Sequence, residues 1–254
     1  NSEFEYLTSI PVEVIPVNGI AYSNYIYEET ESLVSMANDM GYVTLAFHPF
    51  SRSGWSRTRV YPLLGFDRIT FIEDIEVQEE QLLRTYYSDE ATYSYILSQL
   101  NSLNEGEQLF AFVVTMQNHS PYGLEYENYT ITNYLNNNNP DTQNEVNSLN
   151  DFLTLTSYSD DALEAFLEEL ENDDEDYVVV MFGDHQPNLP FSSYLESPRG
   201  DSRTARIINI LSVPYMIWTN SDSGITIDEF NEDREIQTSI NYIALDMLSA
   251  AGIP

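Results

Sequence analysis

Apolar residues along the chain fall into two alternating patterns. Leu33, Val34, Ala37 and Met40 recur at helical spacing, with Thr30 as the expected cap and Gly41 as the expected stop. Residues 42–47 follow as a short apolar run, which predicts a strand that delivers His48 at its end. The layout then repeats. After a turn region at 101–106, residues 109–116 predict a second buried strand leading into Gln117-Asn118-His119. Ala162, Leu163, Phe166, Leu167 and Leu170 mark one face of a helix whose expected cap is Ser159 or Asp160. Residues 177–182 predict a fully buried strand ending in Gly183, Asp184 and His185. A further apolar stretch, 207–218, is interrupted by Pro214, and 238–251 predicts a final helix. The polar, Asn-rich residues 136–147 predict a surface loop. Such alternation predicts an α/β sandwich with a largely parallel central sheet flanked by helices, as one domain over residues 1–254.

The three histidines, His48, His119 and His185, each lie just past a predicted strand. In open α/β sheets the carboxyl ends of the strands converge on one face, where ligands bind, so the spacing predicts one shared site. Asp184 beside His185 is a ligand pair suited to a divalent metal. The loop after the first strand adds Arg52, Trp55 and Arg57. Arginine offers a planar fork of donors that matches phosphate oxygens, and tryptophan offers a flat wall. Arg52 is expected on the surface.

Composition narrows the chemistry. The chain has no cysteine, which removes disulfides, thiol nucleophiles and thiolate metal clusters. No run reaches the roughly 18 apolar residues of a membrane span. Acidic residues number 42 against 9 basic ones, for a net charge of −33, and every basic residue is arginine. A halophile-like surface is one reading. Omission of chemically modified lysines from the sequence is the favoured one, because lysine is ordinarily among the commonest residues. The charge therefore carries little weight about partners, except that it disfavours nucleic acid, which calls for a basic face.

Six segments in order carry a family resemblance: Asn1-Ser-Glu-Phe-Glu-Tyr-Leu-Thr8, His48-Pro, Trp55-Ser-Arg57, Tyr61-Pro-Leu-Leu-Gly-Phe-Asp67, Gln117-Asn-His-Ser-Pro121 and Phe182-Gly-Asp-His-Gln-Pro187. Together they resemble the lipoteichoic acid synthase family, the sulfatase-like phosphoglycerol transferases of the alkaline phosphatase superfamily. The resemblance implies an alkaline phosphatase/sulfatase-like sandwich and an extracytoplasmic catalytic domain, attached to the membrane through an N-terminal region. It implies one divalent cation, Mn²⁺ or Mg²⁺, with Asp184 and His185 among its ligands. It also implies that His48, Trp55, Arg57 and His119 hold the phosphoglycerol group of an anionic phospholipid or a glycerophosphate polymer. His119 is further expected to act in catalysis, protonating a leaving oxygen. The family's nucleophilic Thr lies just before the Asn/Asp-x-Glu-Phe segment, and a further metal-binding Glu sits on an earlier strand. Both are therefore expected upstream of residue 1, and residues 1–254 are expected to be inactive alone. Ser2 does not match the register of the nucleophile, and Thr8 is expected to be structural.

Two other readings stand beside this one. The first is hydrolysis of a phosphodiester or sulfate ester within the same superfamily. Sulfatases of the formylglycine type need Cys/Ser-x-Pro-x-Arg, and Ser197-Pro198-Arg199 has the wrong spacing. The second is a non-catalytic domain that recognises an anionic glycolipid or polymer.

Overall fold

A computed structural model describes residues 1–16, 19–136, 139–189, 202–203, 208, 210–221 and 237–253. Its centre is a parallel sheet of order β2-β1-β5, built from β1 (Val43–His48), β2 (Arg68–Phe71) and β5 (Leu109–Val113). Leu45 pairs with Arg68 on one side of β1 and with Ala111 on the other. β1 lies between two neighbours, and its side chains alternate between two buried layers. Ala46 enters a core with Phe4, Leu7, Val34, Val60, Tyr61 and Leu64, whereas Leu45 and Phe47 enter one with Tyr87, Ile96, Phe166 and Leu170.

Helices cover both faces. The first layer holds α1 (Ser2–Thr8), α3 (Leu33–Asp39), α4 (Arg57–Leu64) and the final helix α7 (Ile240–Ala250), beside the single turn α2 (Ala21–Asn24). The second holds α5 (Asp89–Leu100) packed on α6 (Gln143–Glu171). A small antiparallel hairpin, β3 (Leu82–Leu83) and β4 (Tyr86–Tyr87), precedes α5.

The expected α/β sandwich with helices on both faces is therefore present, with several corrections. The cap of α3 is Ser32, not Thr30. The Ser32 hydroxyl accepts from the backbone N–H groups of Val34 and Ser35, and Ser35 returns the bond as a capping box. Gly41 does follow the helix, at φ 91°, a left-handed conformation that glycine adopts without strain. Ser159 does not start a helix. Leu155 is fully buried one turn before it, so the apolar face runs on through a single helix of 29 residues that begins at Gln143, inside the expected loop. β5 stops at Val113, three residues earlier than expected.

The largest correction concerns β6 (Val178–Phe182). It is half-buried rather than fully buried, with Met181 39% exposed, and it pairs antiparallel with β7 (Tyr215–Thr219). Val180 and Phe182 nevertheless reach the first core, and Val179 reaches the second. β6 thus continues the layered plan while hydrogen-bonding on one side only among the described residues. Ser197-Pro198-Arg199 and part of 207–218 lie outside the described residues.

Candidate active site

The centre of the site forms where β1 ends. The His48 side chain is fully buried, and its two ring nitrogens have different partners. Nδ1 lies 2.9 Å from the Val114 carbonyl, to which it donates, so Nε2 is left as an acceptor for Arg57 Nη1–H at 3.0 Å. Burial, reinforced by the Arg57 charge, pushes the His48 pKa down to about 4. The ring is therefore neutral at physiological pH.

Arg57 opens α4 and is only 4% exposed. Its Nε donates to Glu3 Oε2 at 3.1 Å, and Nη2 donates to Glu3 Oε1. Burial alone would lower the Arg57 pKa; Glu3 more than offsets this and holds it above its ordinary value. Tyr61, one turn along α4 on the same face, donates its hydroxyl to Glu3 Oε2 at 2.9 Å. Trp55 lies over the guanidinium at 4.7 Å and meets the His48 ring edge-on at 6.0 Å. Two consecutive non-glycine residues with positive φ, Trp55 at 52° and Ser56 at 63°, hold the indole there. Such conformations are costly for side-chain-bearing residues and cluster at functional sites. Trp55 remains 47% exposed, so it forms an open wall above a buried cation.

His119 stands on the loop after β5 and is exposed. Its Nδ1 lies 2.8 Å from the Ser120 carbonyl, with the Tyr86 hydroxyl 3.4 Å away. A relay of rings links it to the centre. Tyr86 meets His119 at 5.9 Å and Phe50 at 6.1 Å, and Phe50 meets His48 at 6.0 Å and Trp55 at 6.1 Å.

Asp184 and His185 follow β6. Ser2 donates its hydroxyl to the Asp184 carbonyl at 2.5 Å, one residue before the Glu3 that grips Arg57. Helix α1 thus ties the β6 tip to the arginine. Burial pushes the Tyr122 hydroxyl up to about 12, and the Asp184 carboxylate is near enough to contribute. Tyr122 in turn donates to the Asn118 carbonyl beside His119. Contacts through Ser2, Glu3 and Tyr122 run between the strand ends. His48, Trp55 and Arg57 touch directly. Among the described residues, no hydrogen bond or ring contact joins His119 or His185 to that trio.

The metal pair is less complete. His185 Nδ1 lies 2.9 Å from the Gln186 carbonyl, and Nε2 is 3.4 Å from Asp184 Oδ2. Both side chains are exposed. Divalent sites normally use three or four protein ligands. No group of three or more His, Cys, Asp or Glu donors is found among the described residues, so this pair by itself does not fit a resident ion.

Sequence reasoning missed Glu3, Tyr61 and Ser2 as members of the site. Tyr61 had a usable signal, its spacing of four from Arg57 within one helix. Arg52 behaves as expected, on the surface with Glu73 and Asp74, and the Thr8 hydroxyl closes on the Phe4 carbonyl within its own helix.

Comparison with known proteins bears on this geometry. A Rhizobium meliloti (strain 1021) protein named for cyclic beta-1,2-glucan modification is 31% identical over 227 residues, covering 87% of this chain and 34% of that protein. Lipoteichoic acid synthase 1 of Bacillus subtilis (strain 168) is 22% identical over 147 residues, 57% of this chain and 21% of its own length. The chain thus spans about a third or less of these curated relatives. Among solved structures, the Streptococcus pyogenes phosphoglycerol transferase GacH, in complex with sn-glycerol-1-phosphate, superposes with a TM-score of 0.63 at 26% identity, over 87% of this chain and 55% of that one. The sulfatase family profile matches residues 1–253, and the chain belongs to the sulfatase family.

Proposed function

We propose that residues 1–254 form the catalytic domain of a membrane-attached, extracytoplasmic phosphoglycerol transferase acting on a phosphatidylglycerol-type lipid in cell-envelope polymer synthesis. The observation that carries this reading is the buried Arg57, held by Glu3 and His48 beneath the exposed Trp55. Glu3 and His48 take three of its five N–H groups, and the two that remain suit a phosphate oxygen, while the indole suits a glycerol chain. The chain is similar to a phosphoglycerol transferase solved with a glycerol phosphate.

In this reading Arg57 steadies the equatorial phosphate oxygens. A threonine hydroxyl from outside residues 1–254 loses its proton to water, and its oxygen forms the new bond to phosphorus as the phosphorus–oxygen bond to diacylglycerol breaks. His119 gives a proton from Nε2 to the leaving oxygen. Enzymes of this superfamily generally use a divalent metal. Asp184 and His185 would be two ligands of one Mn²⁺ or Mg²⁺, with further donors from outside the described residues.

The test uses the full-length protein with a labelled phosphatidylglycerol. Arg57→Gln and Asp184→Ala are each expected to lower diacylglycerol release by more than about a hundredfold, and Asp184→Ala to lower bound metal. Wild-type protein that binds sn-glycerol-1-phosphate yet releases no diacylglycerol would replace this reading with the binding-domain one. Release with water as the acceptor would replace it with a hydrolase.

A further inference from the structure

Arg84 is a buried cation for which no ion pair is found among the described residues. It occupies the first of the two positions that join β3 to β4, with φ 59°. Two-residue hairpins with positive φ there prefer glycine, because a side chain is strained in that conformation. Placing the longest cationic side chain at a glycine position is a local cost that the hairpin itself does not require.

The guanidinium shows where that cost is offset. Nη1 donates to the Pro121 carbonyl at 2.8 Å, and Nη2 donates to the carbonyls of Gln117 at 2.6 Å and His119 at 2.8 Å. Tyr86 and Tyr122 flank it at 5.4 and 6.0 Å. Asn128 fixes the base of the side chain, donating to the carbonyls of Leu82 and Arg84 at 3.0 and 3.1 Å. One planar cation thus gathers three carbonyls of the loop that carries His119.

We infer that Arg84 is a positioning residue that sets the His119 imidazole for proton transfer by clamping the 117–121 loop. The inference rests on His119 serving as the proton donor. Lysine cannot reproduce it, since a single ammonium does not reach three carbonyls in one plane.

The test is Arg84→Gly in the full-length protein, because glycine relaxes the strained turn and so favours folding. Diacylglycerol release should fall about a hundredfold, mainly in kcat, the scale expected when a reacting group is misplaced by about an ångström. The double variant with His119→Ala should be no slower than His119→Ala alone. Independently of turnover, the His119 ring resonances should shift in the NMR spectrum of Arg84→Gly. Arg84→Lys should move both readouts in the same direction, and it serves if the glycine variant does not fold. Unchanged His119 resonances, or a double variant whose losses add, would overturn the inference. A wild-type protein without transferase activity but with the resonance shift would sink the proposed function and leave the clamp standing.

Discussion

Glu3 grips Arg57 through both carboxylate oxygens, across 54 residues of sequence and from a different helix. The pair lies against Tyr61 and His48, so removing one partner strands the other in a setting with little water. Breaking a buried ion pair costs about 3–5 kcal/mol, because the remaining charge is left uncompensated. Glu3 keeps some exposure, with 16% of its side-chain surface open, which places Glu3→Ala toward the lower end, about 3 kcal/mol. Glu3→Gln retains one acceptor oxygen and should lose less. Urea unfolding of both variants checks the order.

Trp55 behaves differently because it is half in water. Stacking on Arg57 at a partly exposed site contributes about 0.5–1 kcal/mol, so Trp55→Ala should barely change stability. It should instead weaken binding of sn-glycerol-1-phosphate by about tenfold, measured by calorimetry, while Trp55→Phe recovers part of the loss. An equal loss of stability and binding would mean that the indole is ordinary loop packing.

The contrast between these two residues explains what was legible in the sequence. Strand ends can be read because a buried parallel strand is a short apolar run; His48 closes one such run and His119 stands on the loop after another. Trp55 and Arg57 could be read as a pair because they share one loop. Glu3 could not be matched to Arg57, since no local period links residues on separate helices. The sequence breaks the 29-residue helix in expectation because Ser159 followed by two aspartates has the composition of a cap. Its hydroxyl turns inward to Asp89 at 2.6 Å, a tertiary contact that the local pattern does not encode. The apolar composition of β6 predicts full burial because it reports hydrophobicity and not which edges find a partner.

His48 makes the fold sensitive to acid. Its folded pKa, about 4, lies below the ordinary histidine value of 6.5, so the unfolded chain binds more protons between those values. Stability contributed by neutral His48 is complete above about pH 6.5 and is lost as pH falls toward 4. The ring is well buried, so the loss should be on the order of 3 kcal/mol. Measured as a difference from His48→Gln at each pH, other titrating groups cancel. A difference that stays flat from pH 7 to pH 4 would show that the ring is not held neutral.

Asp89 should do the reverse, and the comparison is the sharper test. Its carboxylate is 3% exposed at the start of α5, with Oδ2 accepting from Ser159. Burial raises its pKa from 3.8 to about 6, against the opposing bonds from Ser159 and Thr115. Between those values the folded protein binds more protons than the unfolded chain, so stability falls as pH rises. The contribution is complete below about pH 3.8 and lost by about pH 6, the opposite slope to His48 in nearly the same window. In the wild-type protein the two slopes largely cancel. Asp89→Asn carries no charge to bury, so its stability relative to wild type should rise by roughly 2–3 kcal/mol between pH 4 and pH 7. Its own unfolding curve should then expose the acid loss due to His48. A relative stability that does not change over that range would mean that Asp89 is solvated or fully paired in the folded protein.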